Sequence, residues 1–132
     1  VFATISILII NNKTMELKYS GAGDIPIIYK NSAGDIIRVK SKGLLLGFAK
    51  DGDYEDSVLQ LKEGEQIYLT TDGLIDSRAK TLESFGEHRL YEIIKNILQD
   101  QTPLEVIQKQ FDDFTKSEYD DDISLILVKA NR

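Results

Sequence analysis

The sequence predicts an α+β fold, an antiparallel β-sandwich with flanking helices. Three observations point there. Short apolar stretches separated by Asn, Gly and Asp turns fill the first half, two stretches with helical spacing follow in the second half, and a continuous apolar run closes the chain. Strand hairpins, then consecutive helices, then a returning strand put helices on a face of antiparallel sheet.

The elements follow in order. Residues 2–10 carry Ile5-Ser6-Ile7-Leu8-Ile9-Ile10, an apolar β-branched stretch that reads as a buried strand. Asn11-Asn12-Lys13 is a polar hairpin turn before a second strand over 15–20. Gly21-Ala22-Gly23-Asp24 breaks that strand, and a third covers 25–30, with Pro26 marking an edge or a first residue. Asn31-Ser32-Ala33-Gly34 turns into a fourth strand over 35–40. The run Leu44-Leu45-Leu46-Gly47-Phe48 reads as core, and 50–53 as a polar loop. Residues 54–61 alternate apolar and polar as a strand, Glu63-Gly64-Glu65 turns the chain, and 66–71 form a further strand ending at Asp72-Gly73.

Leu90, Ile93, Ile94, Ile97 and Leu98 recur at helical spacing, which predicts an amphipathic helix over 86–99. Thr102-Pro103-Leu104-Glu105 is a helix start: Thr102 caps, Pro103 suits the first position and Glu105 closes a capping box. Leu104, Ile107, Phe111 and Phe114 line one face of this helix down to about residue 116. Residues 123–129 are continuously apolar and read as a central, buried strand.

Composition narrows the function. The 132 residues suit one domain, and 42% hydrophobic with 29% charged residues is ordinary for a globular protein. A net charge of −6 repels a phosphate backbone, which argues against nucleic acid and against anionic membrane surfaces. The chain has no cysteine, so disulfides and thiolate chemistry are excluded, and a cytoplasmic location fits. No apolar run reaches the roughly 18 residues of a membrane span.

The chemistry concentrates at two polar outliers. Asp72 stands where the strand over 66–71 ends, held by rigid backbone yet open to the sheet rim, and Gly73 lets the chain turn away. Asp120-Asp121-Asp122 stands directly before the last strand. Taken singly, Asp-Gly is a common turn and the acidic triplet a solvated loop or a charged guard beside a sticky strand. Taken together, both clusters end apolar strands, and adjacent strands would bring them within a few ångströms. Oxygen-only donors select hard cations, Mg2+ or Mn2+; Ca2+ also fits that chemistry, but the sequence has no EF-hand spacing. His88, the sole histidine, lies between Glu87 and Arg89 and reads as an exposed helix residue. Asp76 and Arg78 follow the Asp72 turn; Arg78 could steer a phosphate bidentately or simply pair with a neighbouring acid. Gly21-Ala22-Gly23 has no Walker pattern and precedes no helix.

In order along the chain, Val1-Phe2-Ala3-Thr4, Tyr19-Ser20-Gly21-Ala22-Gly23-Asp24-Ile25-Pro26, Gly43 to Gly47, Leu61-Lys62-Glu63-Gly64-Glu65 with Thr71-Asp72-Gly73-Leu74-Ile75-Asp76-Ser77-Arg78, Phe85-Gly86-Glu87-His88-Arg89-Leu90, and Asp121-Asp122-Ile123-Ser124 resemble the later motifs of the SpoIIE/RsbU branch of metal-dependent (PPM, type 2C) serine/threonine protein phosphatases. The resemblance covers essentially the whole chain. It implies two packed antiparallel sheets with helices, and two Mn2+ or Mg2+ ions at one rim. It further implies that Asp72 and Asp121 are metal ligands, with Asp122 and Gly73 as further contacts or as supports of the ligands. The nucleophile would be a metal-activated water, so no side chain is assigned as catalytic.

Two departures stand out. The family carries His where this chain has Asp24, in a motif outside its ligand sets. The family's first half also has an Asp-x-x-Gly-His-Gly type motif whose Asp bridges both metals, and this sequence has none. The resemblance therefore reads residues 1–132 as a single partial phosphatase domain, the C-terminal part. The implied function is metal-dependent hydrolysis of phosphoserine or phosphothreonine on a protein substrate, a bacterial signalling regulator of the anti-anti-sigma type, with weak or no activity in this segment alone. The competing reading is a non-catalytic, phosphatase-derived binding module. Uncovered core faces and strand edges would favour a homodimer.

Overall fold

Strands β3 (Ile27–Lys30) and β6 (Gln66–Thr70) are buried on both faces, and the rest of the fold is organised around them. Ile27 and Ile67 point one way, Ile28 and Tyr68 the other, and all four are at most 2% exposed. The computed structural model describes residues 3–23, 27–39, 43, 46–47, 50, 52–119 and 121–131.

The described residues form two antiparallel sheets. One has the order β1-β2-β5, from β1 (Ile5–Asn11), β2 (Glu16–Ala22) and β5 (Asp56–Gln60); the other runs β4-β3-β6-β7, with β4 (Ile36–Val39) and β7 (Leu125–Lys129). Leu17, Tyr19, Ile27, Leu61 and Ile67 fill the space between the sheets. Among the described residues three helices cover the outer face of the second sheet: α1 (Asp72–Asp76), α2 (Glu87–Lys95) and α3 (Pro103–Thr115). Ile28 and Tyr68 from the sheet meet Leu74, Phe85, Leu90, Ile94, Ile107 and Phe111 there. The layers are therefore sheet, sheet and helices, which is the predicted α+β sandwich. Phe85 packs edge-on to both Phe111 and Phe114, tying the segment after α1 to α3.

Several expectations are corrected. The first apolar stretch is not buried. Within the described residues β1 is the outer strand of its sheet, and Ile5, Ile7 and Ile9 are 43–64% exposed. Only its alternate side chains, Leu8 among them, reach the space between the sheets. β7 is not central either: it pairs with β6 alone among the described strands, and Ile126 is exposed. Its apolar run reflects two half-covered faces, with Leu125 and Leu127 under the helices and Val128 against the first sheet.

β2 runs on through Gly21 and Ala22 before the chain breaks at Gly23, whose φ is 91°. α2 ends at Lys95, so Leu98 lies beyond it, exposed. The capping box is not formed: Thr102 occupies the N-cap but makes no side-chain cap hydrogen bond, and Leu104 on the first turn is exposed. Leu46, expected in the core, is exposed and joins Ala3 through backbone hydrogen bonds; Leu44, Leu45 and Phe48 lie outside the described residues, as do Asp24, Ile25 and Pro26.

Candidate metal centre

The β6–β7 register brings the two acidic segments together. Thr70 pairs with Leu125, so Thr71 faces Ser124 at the end of the ladder. Thr71 N donates to Ser124 O at 3.1 Å, and Ser124 N donates to Thr71 Oγ1 at 3.0 Å. Asp72 comes next on one side; Asp122 and Asp121 lie two and three residues away on the other.

Asp72-Gly73 is not a turn. Thr71 is the N-cap and Asp72 the first residue of α1. The need for glycine is steric: a Cβ on Gly73 would lie 2.4 Å from the Asp122 carbonyl oxygen. The Gly73 carbonyl accepts the Ser77 hydroxyl at 2.5 Å inside the protein. Phe85 N to Ser77 O at 2.7 Å and Gly86 N to Ile75 O at 2.9 Å anchor α1 from behind. Asp122 N donates to Asp121 Oδ1 at 2.7 Å, which turns the loop before β7.

Thr4, Thr70, Thr71, Asp72, Gly73, Asp121 and Asp122 line one open cavity of about 320 Å3 at the sheet rim. Thr4 precedes β1, so both sheets contribute. Neither Thr4 nor Thr70 was singled out from sequence. A hydroxyl in a β-branched stretch carries no local signal, and only tertiary packing brings Thr4 here. A larger cavity of about 370 Å3 lies at the opposite end of the same strands, beside Lys30, Gln66 and Lys129; its polar side chains are lysines, amides and the Ser32 hydroxyl, with one carboxylate, Glu63.

The rim cavity's donors fit a hard divalent cation in kind: three exposed carboxylates and no nitrogen or sulfur ligand. They are short in number. Among the described residues no group of three or more His, Cys, Asp or Glu is gathered closely enough to hold an ion; Asp120 is outside them. Arg78 does not line the cavity. It is exposed at the base of a small hairpin closed by Ala79 N to Glu83 O. His88 is exposed on α2, as expected from its charged neighbours.

This architecture is that of type 2C phosphatase domains. The SpoIIE family, Stage II sporulation protein E, matches residues 1–131, and the chain belongs to that family. Protein IcfG of Synechocystis is 32% identical over 133 residues, covering 99% of this chain and 21% of that protein. Phosphoserine phosphatase RsbU of Bacillus subtilis is 29% identical over 112 residues, covering 76% of this chain and 33% of that protein. The phosphatase domain of the cell-fate determinant SpoIIE from Bacillus subtilis superposes with a TM-score of 0.75 at 17% identity, covering 98% of this chain and 59% of that one. The PP2C domain of SiaA from Pseudomonas aeruginosa gives 0.80 at 19%, covering 96% and 51%. RsbX, solved in complex with magnesium, gives 0.67 at 21%, covering 94% and 54%. The chain thus spans a fifth to a third of the curated relatives and between half and three-fifths of these solved domains.

Proposed function

We propose that the protein to which this chain belongs hydrolyses phosphoserine or phosphothreonine on a protein partner, with Mn2+ or Mg2+. The observation that carries this is the meeting of Asp72, Asp121 and Asp122 around one rim cavity at the ends of adjacent strands. RsbU is named a phosphoserine phosphatase, which supports the reaction class, and a regulator of the anti-anti-sigma type is the substrate we favour. The chain carries part of a two-ion site, as the C-terminal portion of a phosphatase domain acting in the cytoplasm. None of the helices is long and apolar enough to cross a membrane among the described residues.

The residues divide the work. Asp72 and Asp121 are the metal ligands. Asp122 stiffens the loop through the hydrogen bond that its backbone N–H donates to the Asp121 carboxylate, and Gly73 lets α1 approach that loop. Three carboxylates around one cavity repel a phosphate dianion, so the substrate can enter only when cations neutralise them. Bound divalent ions would lower the pKa of a coordinated water toward about 7 and neutralise the phosphoryl oxygens. Arg78 is a candidate for steering the phosphorylated substrate from outside the cavity.

The sparse donor set favours a second reading, a non-catalytic module that binds a regulatory partner. Hydrolysis of p-nitrophenyl phosphate with Mn2+ separates the two. A chain extended at its N-terminus should be active, EDTA should abolish the activity, and the 132-residue chain should be weak. An inactive extended chain supports the binding module. Equal rates for both chains would sink the partial-site reading.

A further inference from the structure

We infer that Thr71 is a positioning residue whose hydroxyl latches the loop 121–124 onto the end of β6 and so sets how Asp72 faces Asp121 and Asp122. The inference rests on the metal-site reading above and deepens it.

In an antiparallel ladder a hydrogen-bonded pair exchanges two bonds, each from a backbone N–H to a backbone carbonyl. Thr71 and Ser124 are the next pair after Thr70 and Leu125. Only one of their two bonds is of that kind, Thr71 N to Ser124 O at 3.1 Å. The return bond from Ser124 N goes to Thr71 Oγ1 instead, at 3.0 Å. The Thr71 carbonyl is engaged elsewhere: it accepts Leu74 N at 3.3 Å, which opens α1, and the Thr70 hydroxyl at 3.1 Å. The hydroxyl thus stands in for the carbonyl. Toward β7 the strand continues through Thr71; toward α1 the helix has already begun.

The usual role of a threonine at this position does not apply. Thr71 is the N-cap of α1, yet its side chain makes no cap hydrogen bond to the helix. It is aimed across the sheet. Without a side-chain acceptor, the chain would have to choose. Either the carbonyl turns to Ser124 and α1 loses its first hydrogen bond, or Ser124 N–H loses its partner. Both outcomes shift Asp72 against Asp121 and Asp122. The close approach of Gly73 to Asp122 makes the second contact between the same two segments, and the latch keeps them in register for it.

Two substitutions separate the hydroxyl from the rest of the side chain. Thr71→Val keeps the shape and the β-branch but removes the acceptor; Thr71→Ser keeps the acceptor and removes the methyl. The readouts are amide exchange at Ser124 in the metal-free chain and broadening of the amides of residues 72, 73 and 121–124 by Mn2+ in the 15N-labelled chain. In Thr71→Val, Ser124 should exchange about five- to tenfold faster. Mn2+ affinity should fall about tenfold, the usual scale for groups that orient metal ligands. Thr71→Ser should match the unmodified chain in both. Unchanged exchange and affinity in Thr71→Val overturn the latch, as does an equal loss in Thr71→Ser. If Mn2+ broadens none of these amides in the unmodified chain, nor in a chain extended at its N-terminus, the metal-site reading fails and the affinity consequence falls with it. Ser124 exchange then decides the latch by itself.

Discussion

The Cα of Gly73 approaches the carbonyl of Asp122 so closely that an added Cβ would lie 2.4 Å from its oxygen. The obstacle is backbone rather than a flexible side chain, so it cannot swing aside. Gly73→Ala must push α1 away from the loop before β7. Overpacking of this kind costs about 1–3 kcal/mol. Thermal unfolding should shift down by several degrees, and Mn2+ broadening of the Asp121 and Asp122 amides should weaken. An unchanged Tm would show that the two segments yield freely.

Asp72 and Asp121 are exposed, so water solvates both carboxylates. Asp121→Asn should alter stability by less than about 0.5 kcal/mol, the ordinary range for surface changes, and Asp72→Asn, in the first turn of α1, by up to about 1 kcal/mol. Each should abolish most of the Mn2+-induced broadening around the cavity, and in an N-terminally extended chain most of the phosphatase activity. Asn at 121 can still accept the Asp122 amide, so loss of metal there would report on charge and not on loop collapse. Retention of wild-type Mn2+ affinity by both variants would remove these residues from the site.

Much of this was legible in the sequence, for identifiable reasons. Asp72 and Asp121 stood out because carboxylates interrupt apolar strands, and strand ends are a local property. The helical spacing of Leu90, Ile93 and Ile94, and of Ile107 and Phe111, marks residues that are buried against the sheet. What the pattern could not report was how many neighbours a strand acquires. β1 and β7 are as apolar as β3 and β6, yet they are outer strands among the described residues. Nor could it show why position 73 is glycine. The Asp-Gly pair suggested a turn, whereas the cause is an oxygen from a segment some fifty residues later. Thr4 reaches the cavity from the other sheet, a relationship that no local pattern encodes.

Ile5, Ile7 and Ile9 share the outward face of the first sheet, and Val58 joins them through the register Ile9, Lys18, Val58. Ile7, Ile9 and Val58 are 51%, 64% and 55% exposed. An apolar face beside an outer strand promotes association. Light scattering across a concentration series should show self-association of this chain, and Ile7→Lys with Ile9→Lys should reduce it. A clean monomer at high concentration would sink the prediction of a homodimer.

Glu65 makes the most specific pH prediction. It is only 2% exposed, and it accepts hydrogen bonds from Ser32 N and Lys62 N, both at 2.8 Å, and from the Tyr29 hydroxyl. Burial alone would raise its pKa. The three hydrogen bonds and the Lys62 charge outweigh burial and hold it below the ordinary 4.5. Burial, then the hydrogen bond and charge of Glu65, push Tyr29 up to about 12. A carboxylate whose folded pKa is depressed contributes stability above its unfolded value, and that contribution is lost as pH falls through the folded value. A tyrosine whose pKa is raised contributes below its ordinary 10.0, and loses that contribution as pH rises through about 12. Glu65→Gln puts an amide NH2 against a backbone N–H, leaving a buried donor unpaired at a cost of about 1–3 kcal/mol. Near neutral pH the variant should therefore unfold at lower urea than the unmodified chain. Part of that gap should close below about pH 4.5, where the unmodified chain loses its carboxylate contribution. Glu65 directly precedes β6, at the opposite end from Thr70 and the metal cavity, so Mn2+ broadening at Asp72 should not change. A stability gap that stays constant from neutral pH to about pH 3 would show that the ionised carboxylate contributes nothing specific.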